Sequence, residues 1–181
     1  AAFEQGHYSA ATAYQRDGLD IAVRHDDKYL VTLYRYYGGL IDLQQGRLPQ
    51  AAEQAQRSLQ LQLASNSRLA TTGNLALLGK IYQLLDDIPQ ALTYTHQALA
   101  ILEECQGEGP EFPHLDYFFC YQVLTAAGQA DRARSALEMA HHLVMKRANK
   151  ITDPALRQSF LEQVASNREI VAAYQEHISN D

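Results

Sequence analysis

Residues 40–51, LIDLQQGRLPQA, and residues 80–91, KIYQLLDDIPQA, carry one pattern at two places in the chain. Ile41 returns as Ile81, and Pro49-Gln50-Ala51 returns as Pro89-Gln90-Ala91. The alanine that follows each turn keeps the register along most of the chain: Ala11, Ala51, Ala91 and Ala133 fall 40, 40 and 42 residues apart. A turn precedes each one, at Gly6-His7, Gly46-Arg47, Asp86-Asp87 and Gly128-Gln129. A fixed period of this size means that one supersecondary unit is stacked on copies of itself, because so short a unit cannot bury its own apolar face.

The unit reads as helix, short turn, helix. Between turns the chain is rich in Ala, Leu, Gln and Glu, which favour helix. Runs of alternating Val, Ile and Thr are missing, and most of the five prolines and ten glycines sit between periodic stretches. The sequence therefore predicts an all-α fold. Beyond each anchor an apolar or small stripe continues: Ala55, Ser58 and Leu59; Ala98 and Leu99; Ala136, Leu137 and Ala140. Pro49 and Pro89 fall in the first turn of the second helix, where a missing N–H leaves no bond unmade. Gly39 and Gly79, also 40 apart, lie opposite Ala51 and Ala91 and let the two helices of a pair approach closely.

These residues resemble the tetratricopeptide repeat. Its core pattern is Leu-Gly, an aromatic three residues on, Ala twelve after the Gly, and a small residue seven later. Leu78-Gly79, Tyr82, Ala91 and Ala98 match in full. The second unit carries Gly39, Ala51 and Ser58, with Asp42 where the aromatic belongs; the fourth keeps Ala133 and Ala140, with Tyr121 for the Gly. The family's closing proline is absent and the period exceeds its basic ~34 residues, departures that longer helices and loops explain. The resemblance covers residues 1–148: a partial repeat at 1–25, then repeats at about 28–66, 67–107 and 111–148. It implies a right-handed superhelical solenoid of antiparallel helix pairs, whose first helices line a concave groove. Carried over residue by residue, that groove is Leu33, Tyr36, Leu40 and Leu43; Ala76, Lys80, Gln83 and Leu84; Leu115, Phe118, Gln122 and Thr125.

Residues 151–178 read as two capping helices. Asp153 is an N-cap with Pro154 at the first helical position, and Leu156, Phe160, Leu161 and Val164 share a face. Asn167 is placed to cap a second helix bearing Ile170, Val171 and Tyr174. The phrase DPALRQSFL followed by NREI resembles the tail closing the repeat region of large bacterial signalling ATPases, transcriptional activators and cyclase-linked regulators. That resemblance implies a bacterial cytoplasmic parent with catalytic or DNA-binding parts toward its N-terminus. In it Arg157, Phe160, Asn167 and Arg168 look like capping and packing residues. The chain starts inside a repeat, which implies excision from a longer protein with at least one more helix upstream.

Composition narrows the chemistry. The net charge is −6 and no basic cluster is present, so electrostatic binding of nucleic acid is not expected. No apolar run approaches the roughly 20 residues that cross a bilayer. Cys105 and Cys120 fit neither a CxxC motif nor a disulfide framework and read as reduced thiols of a cytoplasmic protein. There is no phosphate-binding glycine loop and no HExxH pair. His141 and His142 are adjacent, about 100° apart on a helix, and fall on a solvated surface. Asp26-Asp27 and Asp86-Asp87 sit at turns, where Asp satisfies backbone donors. The acidic loop EECQGEGPEFPH lacks calcium-loop spacing. No cofactor or metal is expected.

A groove of Tyr, Leu and Phe with a single cation suits an apolar or amphipathic peptide rather than an acidic tail. The leading expectation is a non-enzymatic protein-interaction or scaffold module, with Tyr36 and Phe118 as anchors. A receptor for a small signal molecule or signalling peptide, occupation of the groove by the parent chain, and self-association into a homo-oligomer stay open as alternatives.

Overall fold

The computed structural model describes residues 8–65 and 68–179, and among them nine helices and no strand. In chain order these are α1 (Tyr8–Arg24), α2 (Lys28–Gln44), α3 (Leu48–Ala64), α4 (Thr71–Leu84), α5 (Ile88–Glu104), α6 (Pro113–Ala126), α7 (Ala130–Ala148), α8 (Pro154–Glu162) and α9 (Ala165–Ser179). The turn expected at Gly6-His7 and the repeat boundary at 66–67 lie outside the described residues. The closest partners are α2 with α3, α4 with α5, and α6 with α7. Each pair then stacks on the next, through α3 on α4, α5 on α6, and α4 beside both α2 and α6. The fold is all-α, a solenoid of helix pairs, as the period requires.

The turns inside the pairs share one geometry. Gly46, Asp86 and Gly128 occupy the left-handed region, at φ 70°, 62° and 71°. At each, the following N–H reaches back to the carbonyl five residues earlier: Arg47 to Asp42, Asp87 to Tyr82 and Gln129 to Leu124, all at 2.9 Å. These bonds satisfy carbonyls that the helix end would leave orphaned. Asp26, at φ 50°, repeats the conformation between α1 and α2. The second aspartate of each acidic pair caps the next helix, Asp27 accepting from the Leu30 N–H at 3.0 Å and Asp87 from the Gln90 N–H at 3.1 Å.

The small residues act where the sequence places them. A Cβ on Gly39 would stand 3.4 Å from the Ala51 carbonyl oxygen, and one on Gly79 would stand 3.3 Å from that of Ala91. The backbones of α2 and α3, and of α4 and α5, therefore touch at equivalent points. Around them Leu77, Leu78, Ile81, Leu102, Leu124, Leu137 and Val144 are wholly buried. A polar seam joins the first two full pairs: Asn74 donates to Ser58 Oγ and Gln62 Oε1, each at 2.8 Å, and Ser58 donates to the Thr32 carbonyl at 2.9 Å.

The C-terminal helices depart from expectation in two details. Asp153 caps α8 as predicted, accepting from the Ala155 and Leu156 N–H groups at 2.8 and 3.2 Å. Asn167, however, is not the cap of α9, because that helix already begins at Ala165. Its buried side chain instead donates to the Phe160 carbonyl at 2.9 Å, satisfying an acceptor at the end of α8. His142 is exposed, but His141 is not free in solvent; its ring stacks on Tyr174 of α9, centroids 3.8 Å apart and 7° from parallel.

Candidate functional site

Because α2, α4 and α6 lie side by side, their side chains meet on a shared face, and two cavities open there. The smaller, about 210 Å³, lies toward the C-terminal ends of α2 and α4. Seven of the predicted groove residues line it: Leu40, Leu43, Lys80, Leu84, Leu115, Phe118 and Gln122. The remaining wall is one that sequence reasoning did not supply. Ala165, Ser166 and Glu169, the start of α9, close the cavity from the far side. The Lys80 ammonium donates to Gln83 Oε1 at 2.8 Å. Burial pulls its pKa below the ordinary value, and the Glu169 carboxylate opposes that shift.

The larger cavity, about 780 Å³, lies at the other end of the same face. Leu33 and Tyr36 line it; Ala76, Gln83 and Thr125 line neither cavity, Ala76 being buried and Thr125 exposed. The cavity is bounded by the start of α2, the end of α3, the start of α4 and the loop from α5 to α6. That loop takes its course from Gly107 and Gly109, at φ 72° and 104°, conformations that favour glycine. It is held down at Glu111 and Phe112. Tyr37 donates to Glu111 Oε1 at 2.8 Å, and the Phe112 ring meets Tyr37 edge-on with centroids 6.2 Å apart.

Asp116 lines this cavity from α6 and is only 1% exposed. Neither of its carboxyl oxygens has a hydrogen-bond partner among the described residues. Burial, with the charge of Glu111 behind it, pushes its pKa up to about 8. An uncompensated carboxyl in an apolar interior neutralises itself rather than carry a bare charge. Two residues away, burial and then the Arg147 guanidinium bring His114 down to about 4. Nothing in the sequence marks Asp116, since an acid in the first turn of a helix is an ordinary partner for its dipole.

Cys105 and Cys120 are both free, and burial raises the Cys120 thiol well above its usual range, which keeps it from acting as a thiolate. Among the described residues no three His, Cys, Asp or Glu gather to hold a metal ion, and no helix is long and apolar enough to cross a membrane.

No family model matches the chain, and no curated protein matches it. Among solved structures, the crystal structure of BtubC (BKLC) from P. vanneervenii is similar, with a TM-score of 0.63 over 98% of this chain and 72% of that one. At 19% identity the likeness extends to the fold, a stack of helices on the scale of the whole chain.

Proposed function

We propose that this chain is a non-enzymatic protein-interaction module of the tetratricopeptide type, an arm of a cytoplasmic bacterial signalling or transcription-regulatory protein. Its ligand is a protein or peptide segment. The observation behind this reading is the convergence of Leu40, Leu43, Leu84, Leu115 and Phe118 with Lys80 and Gln122 on one cavity, from three successive first helices. A recess that sets apolar side chains beside the polar Gln44, Lys80, Gln122, Ser166 and Glu169 suits an amphipathic segment, whose buried side chains supply affinity and whose polar groups set register.

Tyr36 and Phe118, the anchors the sequence suggests, are 6% and 4% exposed. Truncating them would test stability. Leu84, at 45% exposure, and the half-buried Gln122 can be changed without opening the core. The experiment selects peptides from a displayed random library on the purified chain and titrates the winners. Affinity should fall about tenfold or more in Leu84→Glu with Gln122→Lys, the loss expected when an apolar contact is replaced by a charge, with the melting temperature unchanged. Selection of nothing, or full affinity in the double variant, refutes the groove.

The larger cavity favours a second reading, a receptor for a small signal molecule or signalling peptide. Its 780 Å³ falls within the range of about 300–1,000 Å³ usual for ligand sites, and it is lined largely by apolar and aromatic side chains.

A further inference from the structure

We propose that the larger cavity seats a primary ammonium group on an apolar body, with Asp116 as the carboxyl that receives it. This inference rests on the receptor reading and names its ligand class. Asp116 is buried, faces the cavity and bonds to nothing among the described residues. A buried polar atom without a partner calls for an explanation, and in a roomy recess an absent ligand group supplies one.

The sign of the missing group follows from the neighbours. Glu111, the other acid on the cavity wall, adds negative charge at Asp116. Lys28, the one lysine or arginine on the lining among the described residues, is exposed and makes no hydrogen bond to the carboxyl. An anion would meet two acids, whereas an ammonium would draw the Asp116 carboxyl into its ionised form, its proton leaving to solvent as the group binds, and donate to it in a charge-assisted bond. The remaining lining matches a cation on an apolar body. Tyr29, Tyr36 and Phe112 offer aromatic faces, which attract cations as well as apolar groups, and Leu33 and Leu61 offer aliphatic surface. A metal ion is a poorer occupant, because two carboxyls are too few donors for a closed site.

A free amine and the N-terminus of a peptide present the same group, and the test separates them. Phenethylamine, phenethyl alcohol and hydrocinnamate are titrated by calorimetry into the full chain. A short peptide beginning with Phe follows, with its N-terminus free or acetylated. The amine should bind about tenfold or more tightly than the alcohol, the scale of one charge-assisted bond, and the acid should bind least. Asp116→Asn should bring the amine down to the alcohol's affinity without lowering the melting temperature. Ala70→Trp, at an exposed position on the cavity rim, should weaken every probe. A free-end peptide that outbinds both its acetylated form and the amine identifies a peptide as the source; the reverse order identifies a free amine. Equal binding of amine and alcohol overturns the ammonium inference while leaving the receptor reading intact. A preference that survives in Asp116→Asn overturns the role of that residue. Binding of no probe and neither peptide overturns both.

Discussion

The Tyr37 hydroxyl donates a 2.8 Å hydrogen bond to Glu111 Oε1, joining α2 to a loop 74 residues further along the chain. That bond and the edge contact of Phe112 on the same ring fix the wall of the larger cavity. Tyr37→Phe removes the first and keeps the second. The variant should lose about 1 kcal/mol, the usual net value of one such bond. Backbone amides of residues 107–112 should exchange faster with solvent while those of α4 and α6 do not. Unchanged exchange in the loop would show that the tyrosine does not restrain it.

Gly79→Ala tests the close approach of paired helices. The new methyl would stand 2.6 Å from Thr95 Oγ1 and 3.3 Å from the Ala91 carbonyl oxygen. Overpacking of this kind costs about 1–3 kcal/mol, to be read from chemical denaturation. Adding Thr95→Ala removes the nearer clash, deletes a hydroxyl without a hydrogen-bond partner among the described residues, and should restore part of the loss. Gly46→Ala makes the opposite case. Among the described residues nothing lies within 4 Å of its new methyl, and its φ of 70° alone should cost about 1 kcal/mol. If Gly79→Ala is neutral, the pairs are not packed backbone to backbone.

Two buried groups on α6 give stability a pH profile with a defined sign. Asp116 rises from an ordinary 3.8 to about 8, so its contribution is complete below about 4 and is lost as pH climbs through about 8. His114 falls from an ordinary 6.5 to about 4, so its contribution is present above 6.5 and is lost as pH drops through about 4. Between those two limits the slopes oppose each other. From pH 6.5 to 8 Asp116 acts without His114, and the melting temperature should decline. Asp116→Asn should flatten that decline and leave the protein more stable than wild type at pH 8. Parallel profiles for the two proteins would place the titration elsewhere.

The architecture is legible in the sequence because its causes are local and repeated. Gly39 with Ala51 and Gly79 with Ala91 are close-contact pairs that recur at one spacing, and Asp27 and Asp87 cap helices that begin one residue later. Of the twelve positions that the resemblance assigns to a groove, seven meet in one cavity, because the repeat spacing brings equivalent helices side by side. The course of α9 was not legible. Periodicity shows that Ile170 and Tyr174 need cover, but it does not say on which side of the stack they find it. The start of α9 therefore walls the smaller cavity unannounced. Asn167 misled for a related reason: its amide serves equally as a cap or as a donor to the preceding helix. Asp116 was hidden because the cavity it lines is walled by the starts of α2 and α4, remote in sequence, as well as by the α5–α6 loop just before it.

The Gly39–Ala51 and Gly79–Ala91 contacts each close one pair of helices, and at Gly39 the next pair presses in as well, with Leu77 Cδ2 of α4 only 3.0 Å from where a Cβ would stand. The two couples are thus cast from one mould, and a change of spacing within the first would be passed to the second through Leu77.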